Sequence, residues 1–188
     1  MPPKAKFTRE EIITAALEII RENGIDAVTA RSLGAKLNSS ARPVFTVFEN
    51  MDEVYCETLS AVKKLYNKYI ELGLSEPIPF KGVGLSYIKF AIEEPNFFRL
   101  LFMQPNQNVS ELSAILPAID DNSDKILNSI IIPYGLDKDS AYELYKHLWI
   151  FTHGIAALTA TNVCSFSDDE INELLTQEFI ARLKLLKE

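Results

Sequence analysis

Residues 7–55 read FTREEIITAALEIIRENGIDAVTARSLGAKLNSSARPVFTVFENMDEVY, and the spacing of the apolar residues in this stretch decides the fold. Phe7-Thr8-Arg9-Glu10-Glu11-Ile12 is a helix start. Thr8 is placed to accept from the Glu11 N–H, the Glu11 carboxylate to reach back, and Phe7 and Ile12 to form a hydrophobic staple. Ile13, Ala16, Leu17 and Ile20 follow at helical spacing and Asn23-Gly24 supplies a left-handed stop, so a first helix of about four turns is predicted. Thr29 suits the N-cap of a short second helix, ARSLGAK, whose Leu33 and Leu37 face inward at i and i+4. After the polar turn Asn38-Ser39-Ser40 a third short segment ends at Phe48. Asn50 or Asp52 then caps a long amphipathic helix through Val54, Leu59, Val62, Leu65, Tyr66 and Tyr69 to about residue 72.

The helical pattern continues. A break at Ser75-Glu76-Pro77-Ile78-Pro79 precedes a helix over about 80–93, and Pro95 opens a short aromatic one, NFFRLLFM, before Pro105. A helix over about 109–132 is expected to bend at Pro117, because proline in a helix interior removes a hydrogen bond. A long helix is predicted over about 139–162 and a last one over 167–186, with acidic residues at its start and Arg182, Lys184 and Lys187 at its end. Strand alternation and repeats are missing from the sequence. The fold class is all-α.

A chain of 188 residues, 47% of them hydrophobic, with mean hydropathy near zero, is expected to be a globular protein with one or two packed domains. No apolar run reaches the roughly 18 residues of a membrane span; LWIFTHGIAALTA, from Leu148 to Ala160, is broken by His153, Gly154 and two threonines. MPPKAKF lacks the apolar core of a signal peptide, so a cytoplasmic protein without a membrane partner is expected. Cys56 and Cys164 have no CxxC spacing and there are two histidines, so the cysteines read as reduced and structural, and no metal or cofactor is expected. Residues 1–48 carry seven Lys or Arg against five acids, a net +2, whereas residues 49–188 carry 12 against 21, a net −9. A mildly basic module on an acidic body permits nucleic-acid contact through one end.

A three-helix start with this spacing is the layout of a helix-turn-helix domain, in which the second of two short helices lies in the major groove. The stretch 7–55 resembles the DNA-binding domain of the TetR/AcrR family of transcriptional regulators. The likeness is carried by the helix-one start, Gly24, Thr29, Leu33-Gly34, Ser40, Val44-Phe45, Phe48 and Asp52-Glu53. In LWIFTHGIAAL, Trp149, His153 and Gly154, with PNFFRLLFM, resemble the subgroup named for a Trp-His-Gly motif. The resemblance implies a helix-turn-helix domain over 1–50, a helical ligand-binding and dimerisation domain over 51–188, a double-stranded DNA operator and a homodimer. The chain departs from the family where a Tyr-His pair and a following Lys commonly touch phosphates: Phe45, Thr46 and Met51 stand there, so fewer phosphates are neutralised.

The candidate DNA-contacting residues are Lys4 and Lys6 on the arm, Thr29 and Arg31 at the second helix start, and Lys36, Ser39, Ser40, Arg42, Phe45 and Thr46 around the recognition segment. For Lys4, Lys6 and Arg31 simple solvation competes evenly with phosphate contact. Arg42 suits guanine O6 and N7. Val44 and Phe48, at i and i+4, read as core, and Phe45 fits either packing or a thymine-methyl or sugar contact. Because proline drives the preceding residue out of the α region, Pro43 predicts a recognition helix that starts late, near 43, with Ala41-Arg42 as its lead-in.

Tyr66, Tyr87, Phe90, Phe98, Phe102, Trp149 and His153 are candidates to surround a small apolar or aromatic effector; Trp149 and His153 share a face at i and i+4. An ordinary core is the competing reading for each. Ile155, Leu158 and Asn162 with Leu175, Phe179 and Leu183 offer a four-helix dimer face, unless these faces are satisfied within one chain. The mechanism so implied is repression relieved by a ligand that shifts the population of dimer geometries. A helical ligand-binding or interaction module with weakened or lost DNA binding is the alternative. An enzyme is disfavoured, because no nucleophile, base and orienting residue form a recognisable constellation.

Overall fold

Short-range chemistry accounts for most helix starts in the computed structural model, which describes residues 6–105 and 122–187. Helix α1 is Arg9–Asn23. The Thr8 N–H donates to Glu11 Oε2 at 2.7 Å while the Glu11 N–H donates to Thr8 Oγ1 at 3.1 Å, the reciprocal pair expected of a capping box. Gly24 ends it at φ 81°, a backbone region that favours glycine. After a 3₁₀ turn at Ile25–Ala27, Thr29 caps α2, Ala30–Lys36. Asn38 reverses the chain at φ 51°.

The third short segment, expected to hold the recognition helix, is a 3₁₀ helix of five residues, Arg42–Thr46. It begins one residue before Pro43, so Arg42 is its first helical residue rather than part of the lead-in, and Ala41, in the α region, gives no side-chain cap. The reason lies in the bonds. Proline has no N–H to donate, and the Val44 N–H reaches back three residues to the Ala41 carbonyl at 3.1 Å, closing the tighter 3₁₀ turn.

Helix α3, Met51–Leu74, starts on Asn50, whose Oδ1 accepts from the Glu53 N–H at 2.9 Å. Then come α4, Pro79–Glu93, and α5, Pro95–Phe102. The beginning of the helix predicted over 109–132, with Pro117, lies outside the described residues. Its described part is α6, Ser123–Tyr134, which takes Pro133 into its last turn and stops at left-handed Gly135. Helix α7 is Lys138–Ala160, capped by Asp137, and α8 is Asp168–Leu185, opened by a capping box between Ser167 and Glu170. Helix α7 stops two residues short of the expected end because Asn162 adopts φ 56°, a conformation asparagine tolerates. All regular structure among the described residues is helical. No helix among them is long and apolar enough to cross a membrane.

The chain forms two compact units. The first comprises the described residues up to Leu65 together with Glu94–Gln104; the second comprises Tyr66–Glu93 and the described residues from Pro105 onward. The first unit thus reaches past residue 50, and α3 contributes to both. In the first unit Ile12, Ala16, Leu33, Val44, Phe48 and Val54 are buried together, and burying Val44 and Phe48 contributes about 1.5–3 kcal/mol each. Arg9 binds α1 to α3: it pairs with Glu53 and Glu57, donates to the Val47 carbonyl at 2.9 Å and lies 4.3 Å from the centre of the Phe48 ring. Arg21 holds α5 to α1, meeting both Glu94 oxygens at 2.9 Å.

In the second unit α4 packs against α6, α7 and α8. The end of α3 crosses the start of α4 backbone to backbone: a Cβ on Gly82 would lie 2.1 Å from the Gly73 carbonyl oxygen. Only glycine at both positions permits that approach.

Candidate functional site

A 3₁₀ helix has three residues per turn, so residues three apart stand one above the other. In Arg42–Thr46 this yields three edges. Val44 points into the first unit's core, fully buried, while Arg42 and Phe45 share an edge that is open to solvent, Phe45 being 47% exposed. Pro43 and Thr46 share the third edge, and the Thr46 hydroxyl donates to the Pro43 carbonyl at 2.7 Å. Arg42 has no hydrogen-bond or ion-pair partner among the described residues.

The other predicted contact residues divide. Lys4 lies outside the described residues. Lys6 donates to Ser39 Oγ at 3.1 Å, which brings the arm beside the exposed turn at Ser40. Arg31 is exposed and without a partner among the described residues. Thr29 is occupied by its cap, its Oγ1 accepting from the Ser32 N–H at 3.0 Å. Lys36 faces α1 instead of a groove, with Nζ 3.1 Å from both Glu18 and Glu22, and hydrogen bonds to Glu22 first and Glu18 second raise its pKa. Met51 packs against the core. Gly34 makes the turn possible, since the backbone of Ser40 and Ala41 passes directly over its α-carbon.

The second unit contains a cavity of about 200 Å³. Of the predicted effector residues, Tyr66, Tyr87 and Trp149 line it. His153 stands behind this wall: its Nδ1 is 2.9 Å from the Tyr87 hydroxyl and its ring stacks on Trp149, centroids 4.9 Å apart. Burial lowers the His153 pKa. Burial, with Tyr145 adding to it, holds the Tyr87 hydroxyl well above its ordinary value. The neutral ring and the Tyr87 hydroxyl share this hydrogen bond, its direction set by which ring nitrogen carries the proton.

Phe90, Phe98 and Phe102 do not line the cavity. Phe90 is completely buried, packed edge-on against Tyr66 and Tyr69, while Phe98 and Phe102 pack against each other at a tilt in α5 of the first unit. Phe80 and Tyr145, which the sequence offers only within its wider supply of aromatics, Phe179, expected on the dimer face, and Tyr134, which carries no expectation, complete the aromatic wall, with Lys81 and Thr152 among its polar groups. A signal did exist for Tyr145: it lies four residues before Trp149 on the same helix face.

Of the predicted dimer residues, Ile155 and Leu175 are buried within their own chain, and Leu175 and Phe179 line the cavity. Leu183 is half-buried, Asn162 is exposed at its left-handed turn, and Leu158 is 40% exposed. Leu158 continues an outward stripe on α7 with Ile150, 50% exposed, and Gly154, where an added Cβ would meet nothing within 4 Å. Among the described residues no cluster of His, Cys, Asp or Glu is arranged to hold a metal ion.

No protein-family model matches the chain. The chain is 20% identical, over 93% of its length and 90% of the relative's, to the uncharacterized HTH-type transcriptional regulator YobS of Bacillus subtilis (strain 168). Its fold is similar to that of a protein from Vibrio parahaemolyticus, provisionally named a TetR-family transcriptional regulator. The TM-score is 0.63 at 16% identity, covering 92% of this chain and 97% of that one. A Mesorhizobium loti MAFF303099 protein with the same provisional family name gives a TM-score of 0.55 at 18% identity, covering 97% and 98%. At these identities the likeness carries the fold, and the chain is folded as TetR-family regulators are.

Proposed function

We propose that this protein is a DNA-binding transcriptional regulator, a homodimeric repressor that leaves its operator when a small apolar or aromatic molecule enters the cavity of the second unit. The observation that carries this reading is the Arg42–Thr46 segment, which is anchored by Val44 and presents Arg42 and Phe45 outward on one edge. Arginine pairs with guanine in the major groove, and an apolar ring suits a thymine methyl. At a rise of about 2 Å per residue the two side chains stand about 6 Å apart along the helix axis, close to two base-pair steps. Lys6, Ser39, Ser40 and Arg31 are then the positioning contacts to phosphate. The relatives named as transcriptional regulators support the same reading.

Release by a ligand requires tighter binding to a dimer geometry that does not fit the DNA. Helix α3 supplies Val54 to the first unit's core and Tyr66 to the cavity, so an element that senses the ligand also forms part of the DNA-binding unit. The test is a gel shift with DNA selected by the purified protein, repeated with candidate effectors. Loss of the shifted band with a ligand that binds is the expected result; a ligand that occupies the cavity and leaves DNA affinity unchanged contradicts release.

One set of observations favours a second reading, a ligand-binding module with lost DNA binding. Lys36 is held by two glutamates, Arg9 by two others, and Met51 packs against the core, which leaves Lys6, Arg31 and Arg42 as the described cations of the proposed face. A folded dimer that selects no DNA sequence at low salt decides for it.

A further inference from the structure

We propose that the effector of the second unit's cavity is a small aromatic carboxylate whose anionic group is held by Lys81; this rests on the reading of that cavity as the effector site. At about 200 Å³ the cavity is somewhat larger than the roughly 150 Å³ space that accepts benzene, so it takes one ring with a short tail. Phe80, Tyr134, Trp149 and Phe179 supply ring faces and edges, which suit an aromatic guest.

Among the described residues that line the cavity, Lys81 is the one with an ionised side chain. It is half-buried, no carboxylate lies within ion-pairing distance of it among the described residues, and the first turn of α4, where it stands, carries no acid. The Tyr87 hydroxyl, already bonded to His153, is not the free donor of the site.

The energetics select for charge. While the cavity is open, the Lys81 ammonium keeps its water. A guest that fills the mouth strips that water, and a neutral guest leaves a cation without a partner, whereas a carboxylate replaces the lost water with a charge-assisted hydrogen bond. The neutral isostere is therefore rejected by the penalty of an unpaired charge. A lysine that merely lays its aliphatic stem over the cavity rim predicts no such discrimination.

Trp149 lines the cavity and is the only tryptophan of the chain, so its fluorescence reports binding there without a label. The experiment titrates the full-length protein with 3-phenylpropionate and with the neutral 3-phenylpropionamide. The expected result is a saturable change with both, the carboxylate binding about tenfold more tightly. Lys81→Gln is expected to remove that preference while the amide still binds. Lys81→Met, which keeps an apolar stem, is expected to behave as Lys81→Gln does. Equal affinities in the wild type, or a preference that survives both substitutions, overturn the proposal and leave the cavity reading standing. Absence of a saturable response to either probe from a folded protein overturns both.

Discussion

The backbone of Ser40 lies against the α-carbon of Gly34 so closely that a Cβ there would stand 2.6 Å from the Ser40 carbonyl carbon and 2.7 Å from its oxygen. Alanine in a helix ordinarily stabilises relative to glycine by about 1 kcal/mol. At Gly34 the sign reverses, because the methyl group meets main chain that no rotamer can move aside. Gly34→Ala is expected to lower stability by about 1–3 kcal/mol and to weaken DNA binding, since the displaced turn carries Ser39, Ser40 and Arg42. Denaturant unfolding followed by circular dichroism measures the first effect, and unchanged or raised stability would contradict the packing described.

Two cations six residues apart make a paired prediction. Arg42 is open to solvent, whereas Lys36 is committed to Glu18 and Glu22. Arg42→Ala should weaken specific DNA binding by about 1–3 kcal/mol and relax the preference at one base pair, while Lys36→Ala should leave affinity unchanged. Fluorescence anisotropy at fixed salt compares them; equal losses would mean that Lys36 leaves its glutamates to bind DNA.

His153 gives a pH dependence with a definite sign. Burial lowers its pKa in the folded state below the ordinary value of 6.5, so the unfolded chain takes up the proton first as pH falls. The stability it contributes is fully present above about pH 6.5, declines below that, and is lost as pH passes through the lowered folded value. Protonation puts a proton on both ring nitrogens, so that Nδ1 can only donate toward Tyr87, and charges the ring stacked on Trp149. Acid titration should therefore show a Trp149 fluorescence change with a midpoint below 6.5 that His153→Gln abolishes; a midpoint at or above 6.5 would contradict the burial.

The stripe of Ile150, Gly154 and Leu158 predicts the outcome of two substitutions. A Cβ added at Gly154 meets nothing within 4 Å among the described residues, so Gly154→Arg starts outward from open space, and Leu158→Glu replaces an exposed residue. Both should leave the monomer folded and shift a dimer toward monomer in sedimentation equilibrium. Intact dimers in both variants would place the interface elsewhere.

What the sequence revealed, and what it did not, follows the range of the interactions. Thr8 with Glu11, and Thr29, are legible because a cap acts over three residues; at the last helix only the favourable acidic start was read, and the box between Ser167 and Glu170 is a finding of the structure. Gly24 was legible for the same reason, and Pro43 marked the recognition segment to within one residue. That the segment stays 3₁₀ depends on Val44 bonding back to Ala41, which composition alone does not decide. Lys36 looked like a groove residue until α1 brought two glutamates to it. In the second unit, Tyr87 and Phe90 are three residues apart on α4, yet one lines the cavity and the other is buried against Tyr66 and Tyr69. Which aromatic meets a cavity is fixed by how five helices pack, so Phe80, Tyr134 and Phe179 could not be singled out by periodicity. Asn162, read as an interface residue, serves as a left-handed helix stop.

The central claim is that this chain reads DNA through the Arg42–Thr46 edge. The most direct test is selection of double-stranded DNA by the purified protein across a salt series, repeated with Arg42→Ala. The expected result is one two-fold symmetric sequence, half-sites one helical turn or a multiple of it apart, affinity that falls with salt, and loss of that sequence with Arg42→Ala. A folded wild-type protein that enriches no sequence even at low salt, or the same sequence selected by Arg42→Ala, would contradict it.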